Sequence, residues 1–147
     1  MVEDIRRLLK SAKFGLSCPA QAIGEAEKLL GHSLPGFLKA LYPQFDGFRE
    51  GLGNAQYLFP LLQSSDGGTS LIEMTMYYRK DHTPPPDFSG FVFFGSSGGD
   101  AHWGVGLETD SPIIAYHHNM GKRYEIAGTD VIQVYLDDQK AYGTEDA

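Results

Sequence analysis

Residues 91–108 leave this chain few architectures to choose from. They read Phe91-Val92-Phe93-Phe94-Gly95-Ser96-Ser97-Gly98-Gly99-Asp100-Ala101-His102-Trp103-Gly104-Val105-Gly106-Leu107-Glu108. Four consecutive large apolar residues bounded by glycines suit a strand in the core of a sheet. A tight glycine turn carrying one carboxylate follows. Beyond it the pattern alternates: Trp103, Val105 and Leu107 share one face, and His102, Gly104 and Gly106 the other. A strand, a short turn and a second strand pair antiparallel, so a sheet is required.

The sequence before this hairpin is helical in character. Ile5, Leu8 and Leu9 have helical spacing. A second helix is predicted over residues 19–30, with Ser17 or Cys18 as cap and Pro19 in the first turn. Ile23, Ala26 and Leu30 line one face of it, and Gly31 terminates it. A third starts at Pro35, turns Leu34, Phe37, Leu38 and Leu41 inward, and stops at Pro43; Asp46-Gly47 then makes a turn. Residues 56–60 form a short strand ending at a proline, and the loop that starts at Ser65 follows. In residues 70–78 the spacing of Leu71, Met74 and Tyr78 favours a helix. Pro84-Pro85-Pro86 forces an extended connection.

Strands are expected at 91–94, 101–108 and 112–117, with a fourth at 123–126. A last helix is capped by Thr129 or Asp130 and turns Val131, Ile132, Tyr135 and Leu136 inward. The residues after Tyr142 read as frayed. Helices, then a strand meander, then a helix imply an α+β fold: two layers, a mostly antiparallel sheet, and helices packed mainly on one face. At 147 residues, with no visible boundary, residues 1–147 are expected to form one domain.

Charge is unevenly spread. Residues 1–90 carry 10 acidic and 9 basic side chains, whereas residues 91–147 carry 9 acidic and 3 basic ones, so nearly all of the net −7 lies in the C-terminal part. Phosphate is repelled by such a surface, which argues against nucleic acid as a ligand, and a basic partner is favoured. No apolar run approaches the roughly 20 residues that span a bilayer, so no membrane partner is expected. Acidic residues in Met1-Val2-Glu3-Asp4-Ile5-Arg6-Arg7 do not suit a secretory signal, and a cytoplasmic location is the expectation. Cys18 is the only cysteine, so neither an internal disulfide nor a multi-thiol metal site can form.

Several segments together resemble the SUKH superfamily, the Smi/Knr-type family of fungal cell-wall-synthesis regulators and bacterial toxin-immunity proteins. They span about residues 19–138. Glu27-Lys28-Leu29-Leu30-Gly31-His32-Ser33-Leu34-Pro35 is similar to the family's helix, glycine and Leu-Pro signature. Leu41-Tyr42 followed by Asp46-Gly47, Tyr57-Leu58-Phe59-Pro60-Leu61, the Gly98-Gly99-Asp100 turn and a closing helix at 130–136 follow in the family's order. Gly31, Leu34, Pro35, Tyr42, Asp46, Gly47, Gly98, Gly99 and Asp100 are thereby structural motif positions. The Pro-rich stretch near Pro84 and the basic pair Lys122-Arg123 depart from the pattern. The resemblance implies a non-enzymatic immunity protein that binds a toxin domain, a basic nuclease among the options. A regulatory or scaffold module is the alternative, and no cofactor is implied.

The chemical readings are weaker than the structural ones. Residues 95–100 lack the lysine and following helix of a phosphate loop, and the Asp100 carboxylate repels phosphate. Gly98 and Gly99 are expected to take positive φ, and Asp100 to accept hydrogen bonds from turn amides. Asp100, His102 and one of His117 or His118 could make a small metal site, although exposed strand-end histidines explain them as well. Cys18 at a helix start invites a thiolate reading, with a buried cysteine as the plainer one. Trp103 is read as core, or as an interface anchor if exposed. The residues offered for partner binding are Asp100, His102, Glu108, Asp110, Asp137 and Asp138.

Overall fold

The computed structural model describes residues 12–50, 56–63, 69–80, 88–118 and 123–142. The expected helix around Ile5, Leu8 and Leu9, most of the loop from Ser65, the Pro84-Pro85-Pro86 connection, Lys122 and the residues after Tyr142 lie outside them.

Among the described residues there are four helices and one sheet. The strands are β1 (Lys13–Phe14), β2 (Phe48–Glu50), β3 (Gln56–Leu58), β4 (Phe91–Ser96), β5 (His102–Gly106), β6 (Ile113–His117) and β7 (Arg123–Gly128). They lie side by side in sequence order, every pair antiparallel. The helices are α1 (Ala20–Leu30), α2 (Gly36–Leu41), α3 (Leu71–Lys80) and α4 (Val131–Tyr142). This is an α+β fold.

Both faces of the central strands are covered, which is why Phe91 to Phe94 can be apolar without interruption. Val92, Trp103, Val105, Ile113 and Ala115 join the larger cluster, with Leu30, Leu38 and Leu41 from α1 and α2 and Val131, Val134 and Tyr135 from α4. The opposite face holds Phe93, Ile114 and Tyr116 beneath Tyr78 of α3 and Phe88. A register shift between Phe93 and Gly95 marks a bulge. Around it Phe94 packs on Phe37 in the larger cluster, ring centroids 5.4 Å apart, while Phe93 meets Tyr78 at 4.4 Å in the smaller one.

The helix boundaries follow local chemistry. Pro19 itself is the N-cap of α1, and no side chain caps the helix. The expected caps Ser17 and Cys18 are not used: Cys18 gives its N–H to the Tyr42 carbonyl and is buried in the core. Gly31 ends α1 at φ 75°, a conformation that costs glycine least. The Leu34 amide donates to the Glu27 carboxylate at 2.7 Å, and Lys39 pairs with the same oxygen at 3.2 Å. Those partners hold the Glu27 carboxyl below its ordinary range, the backbone hydrogen bond first. Pro35 caps α2. Ser70 caps α3 through its hydroxyl, which accepts the Glu73 amide. Asp130 caps α4, accepting the Ile132 amide at 3.0 Å. The buried face of α4 is Val131, Val134 and Tyr135, whereas Ile132 and Leu136 are only half-buried.

The segment between α2 and β3 is tied down by Tyr42, Asp46 and Gly47. Tyr42 is buried and donates its hydroxyl to the Phe59 carbonyl at 2.6 Å. The Asp46 carboxylate accepts the Leu61 amide at 2.7 Å. Gly47 has φ 87°, and a Cβ there would lie 2.7 Å from the Leu58 carbonyl oxygen. No described helix is long and apolar enough to cross a membrane.

Candidate functional site

The alternation of β5, β6 and β7 determines which side chains share a surface. Trp103 pairs with Ala115, and Ala115 with Glu125, so these three form a row across one face. His117 and Ala127 lie on the same face, two residues along. Helix α4 crosses above with Val134, Asp137, Asp138 and Tyr142, and the turn residues Ser97, Gly99 and Ala101 close one end. Between them lies an open cleft of about 210 Å³. The space exists because Ala115, Ala127 and Gly99 are small. Tyr142 lies directly on Gly99, where a Cβ would come within 2.5 Å of the ring. Trp103 is core, packed edge-on against Tyr135 at 4.4 Å, and forms the apolar floor.

The cleft rim is anionic. Glu125, Asp137 and Asp138 line it, with no lysine or arginine among the lining residues. His117 Nε2 lies 3.0 Å from Glu125 Oε1, and the Glu125 side chain remains largely exposed. Asp137 is exposed and accepts only the neighbouring Gln133 amide at 2.8 Å. Asp138 is engaged differently. It accepts the Ser97 hydroxyl at 2.5 Å, the Gly98 amide at 2.9 Å and the Gln56 side-chain amide at 2.8 Å.

The carboxylate that holds the glycine turn is therefore Asp138, forty residues downstream, not Asp100 as the sequence suggested. The positive φ expected of Gly98 and Gly99 is taken by neither; Asp100 adopts the left-handed conformation, at φ 70°, and its side chain is exposed. Gly99 serves the close approach of Tyr142, and its amide donates to the Ser97 hydroxyl. With both glycine amides donating internally, the turn has no free N–H pair to cradle an anion.

Of the residues offered for partner binding, the fold brings Asp137 and Asp138 into the cleft, with Asp100 in the turn at its end. Glu108 and Asp110 are exposed at the opposite end of β5; a five-residue strand separates them from Asp100 by roughly 17 Å. His102 faces the other side of the sheet. Its Nδ1 and the Tyr78 hydroxyl share a hydrogen bond, and its ring stacks on His118 at 4.3 Å. His117 is on the cleft face, so the two neighbouring histidines do point apart. Among the described residues no group of three or more His, Cys, Asp or Glu is placed to hold a metal ion. Glu125 and Tyr142 were not singled out from sequence. The signal for Glu125 was its parity with Ala127, which becomes useful only once the β6–β7 register is known.

Two titrations follow from burial. Burial, then the Asp46 carboxylate, pushes the Cys18 thiol up to about 11, so the helix start does not activate it. Burial, then His118, lowers His102 from 6.5 to about 4, against the opposing pull of Asp100. The unfolded chain therefore binds the additional proton between pH 6.5 and 4. The stability contributed by neutral His102 is complete above pH 6.5 and is lost as pH falls toward 4. Replacing His102 with glutamine is expected to flatten that part of the stability profile by up to about 3 kcal/mol. Chemical denaturation of both proteins at pH 7.5 and 4.5 measures it, and parallel profiles would refute it.

A search of curated proteins returned no match. A family model, the SMI1 / KNR4 family (SUKH-1), matches residues 17–129. The match takes in α1 to α3 and β2 to β7 and stops before α4, so the cleft floor lies inside it and the wall carrying Asp137, Asp138 and Tyr142 outside. It also contains the Gly31 cap, the Pro35 start, the Tyr42 and Asp46 ties and the Asp46-Gly47 turn. On a match that covers most of its length, this chain belongs to the SMI1/KNR4 family (SUKH-1).

Proposed function

We propose that this chain is a non-enzymatic cytoplasmic immunity protein that binds and neutralises a basic toxin domain. Family membership fits an immunity or a regulatory role. The anionic cleft carries the choice of partner. Its floor is apolar and aromatic, its rim bears three carboxylates, and its lining has no Lys or Arg. A lysine or arginine side chain from a partner finds there both a surface for its methylenes and counter-charges for its head. Nuclease domains must be basic to hold nucleic acid, and a surface bearing an excess of six negative charges over residues 91–147 can occupy such a site in place of phosphate.

The test uses a toxin domain found encoded beside this chain. Joint reversal of Asp100, Glu108, Asp110 and Asp137 to lysine is expected to slow association about tenfold or more at low salt and to flatten its salt dependence. Asp138 is left intact because it holds the fold. Unchanged association kinetics would remove the electrostatic mechanism while leaving immunity standing. Absence of any binding to the neighbouring product would favour the regulatory-module reading, which the same family match supports.

A further inference from the structure

The two edges of the sheet are unlike. At one end β1 is only two residues long. At the other, β7 extends six residues, roughly 20 Å, and pairs with β6 alone, so its outer backbone edge has no strand beside it among the described residues. Sheet proteins normally shorten, cover or charge such an edge. Here the charges, Arg123 and Glu125, lie on one face only, and on the other large apolar side chains stay in water, Tyr124 at 50% and Ile126 at 69% exposure.

The two faces of β7 differ in chemistry. Tyr124 and Ile126 pair with Tyr116 and Ile114, so they prolong the aromatic face built on Phe88 and Tyr116; the Tyr124 ring lies 6.5 Å from that of Phe88. Arg123, Glu125 and Ala127 share the other face; Glu125 and Ala127 line the cleft with Asp137, and Arg123 stands outside it opposite His117. A strand added to this edge must match both faces residue by residue, because its side chains alternate with the same period.

We infer that the outer edge of β7 is a docking rail for an extended segment of a partner protein that alternates apolar and basic residues. The apolar side chains lie against Tyr124 and Ile126. The basic ones reach the cleft face beside Glu125 and Asp137. Backbone hydrogen bonds along the edge supply affinity and the alternation supplies register. A second copy of this chain is a poorer occupant: paired antiparallel it can set its Arg123 against Glu125, but it also brings the same excess of six negative charges over residues 91–147. The inference rests on the reading of this chain as a protein-binding module, and it adds where and how the partner is held.

The probe is a ten-residue peptide alternating valine and lysine, titrated into the whole protein and followed by amide NMR. Saturable shifts are expected in the amides of residues 123–128. A twin peptide N-methylated at four backbone nitrogens, two on each edge, is expected to bind at least tenfold more weakly, as is a valine–glutamate peptide. Ile126→Lys, a change at an exposed position, is expected to weaken the valine–lysine peptide at least tenfold without altering thermal unfolding. The inference is overturned if β7 amides do not shift, if the N-methylated twin binds equally well, or if sedimentation shows a dimer that occupies this edge. It is also overturned, with the immunity reading left intact, if Ile126→Lys neutralises the neighbouring toxin domain fully. A protein that binds the peptide on β7 but ignores that toxin domain keeps the edge and loses the immunity reading.

Discussion

Replacing Asp138 with alanine is expected to lower the unfolding free energy by about 3 kcal/mol, whereas the same change at Asp137 is expected to cost no more than about 0.5 kcal/mol. The two carboxylates are neighbours on one helix, yet their surroundings differ. Asp138 collects hydrogen bonds from Gln56 on β3, Ser97 at the end of β4 and the Gly98 amide. Gln56 and Ser97 are both buried; without Asp138 the Gln56 amide keeps the Tyr135 carbonyl at 2.9 Å, but its other hydrogen and the Ser97 hydroxyl lose their acceptor. Asp137 is exposed and bonds only to Gln133 one turn away. For a chain of this size the Asp138 loss corresponds to a fall in Tm of roughly 10 °C. Thermal unfolding of the two variants decides the matter, and equal shifts would show that the Asp138 bonds contribute nothing net.

That contrast also shows what could be read before the structure. The strand meander was legible because an unbroken apolar run at 91–94 and an alternating one at 101–108 are separated by a glycine turn, and the α1–α2 turn because Gly31 and Pro35 punctuate it. Asp137 and Asp138 were indistinguishable, since a helix period alone cannot tell which of two adjacent polar residues meets a distant turn. The assignment of turn acceptor to Asp100 failed for the same reason. Sequence proximity favoured a local carboxylate, while the fold supplied one from α4. The cleft was similarly hidden. Its walls come from β5, β6, β7 and α4, and only the register Trp103–Ala115–Glu125 reveals that a large floor residue is followed by a small one and then a carboxylate. The exposed pair Tyr124 and Ile126 looked like an ordinary strand face, because alternation says which residues share a side but not whether anything covers it.

Gly95→Ala is expected to be severely damaging, with the tightest backbone clash among the described glycines, and Gly24→Ala to act in the opposite direction. Gly95 pairs with Leu58 across β3 and β4. A Cβ built there collides with the Tyr57 carbonyl oxygen and lies 2.5 Å from the Tyr135 hydroxyl. Those two atoms are already joined by a hydrogen bond of 2.7 Å. The carbonyl belongs to a paired strand and cannot swing aside, and Tyr135 is fully buried against Trp103 and Phe48. The methyl group must therefore separate β3 from β4 or expel the Tyr135 hydroxyl, which leaves a buried donor without its acceptor. Overpacking and a lost buried hydrogen bond together cost at least about 3 kcal/mol. Gly24 lies in the exposed middle of α1 with nothing within 4 Å of its virtual Cβ. There alanine restricts only the unfolded chain and is expected to stabilise by about 0.5–1 kcal/mol. Denaturant titration of the two variants should move the midpoints in opposite directions. A Gly95→Ala protein with the parent's midpoint would mean that the β3–β4 contact has more room than its geometry allows.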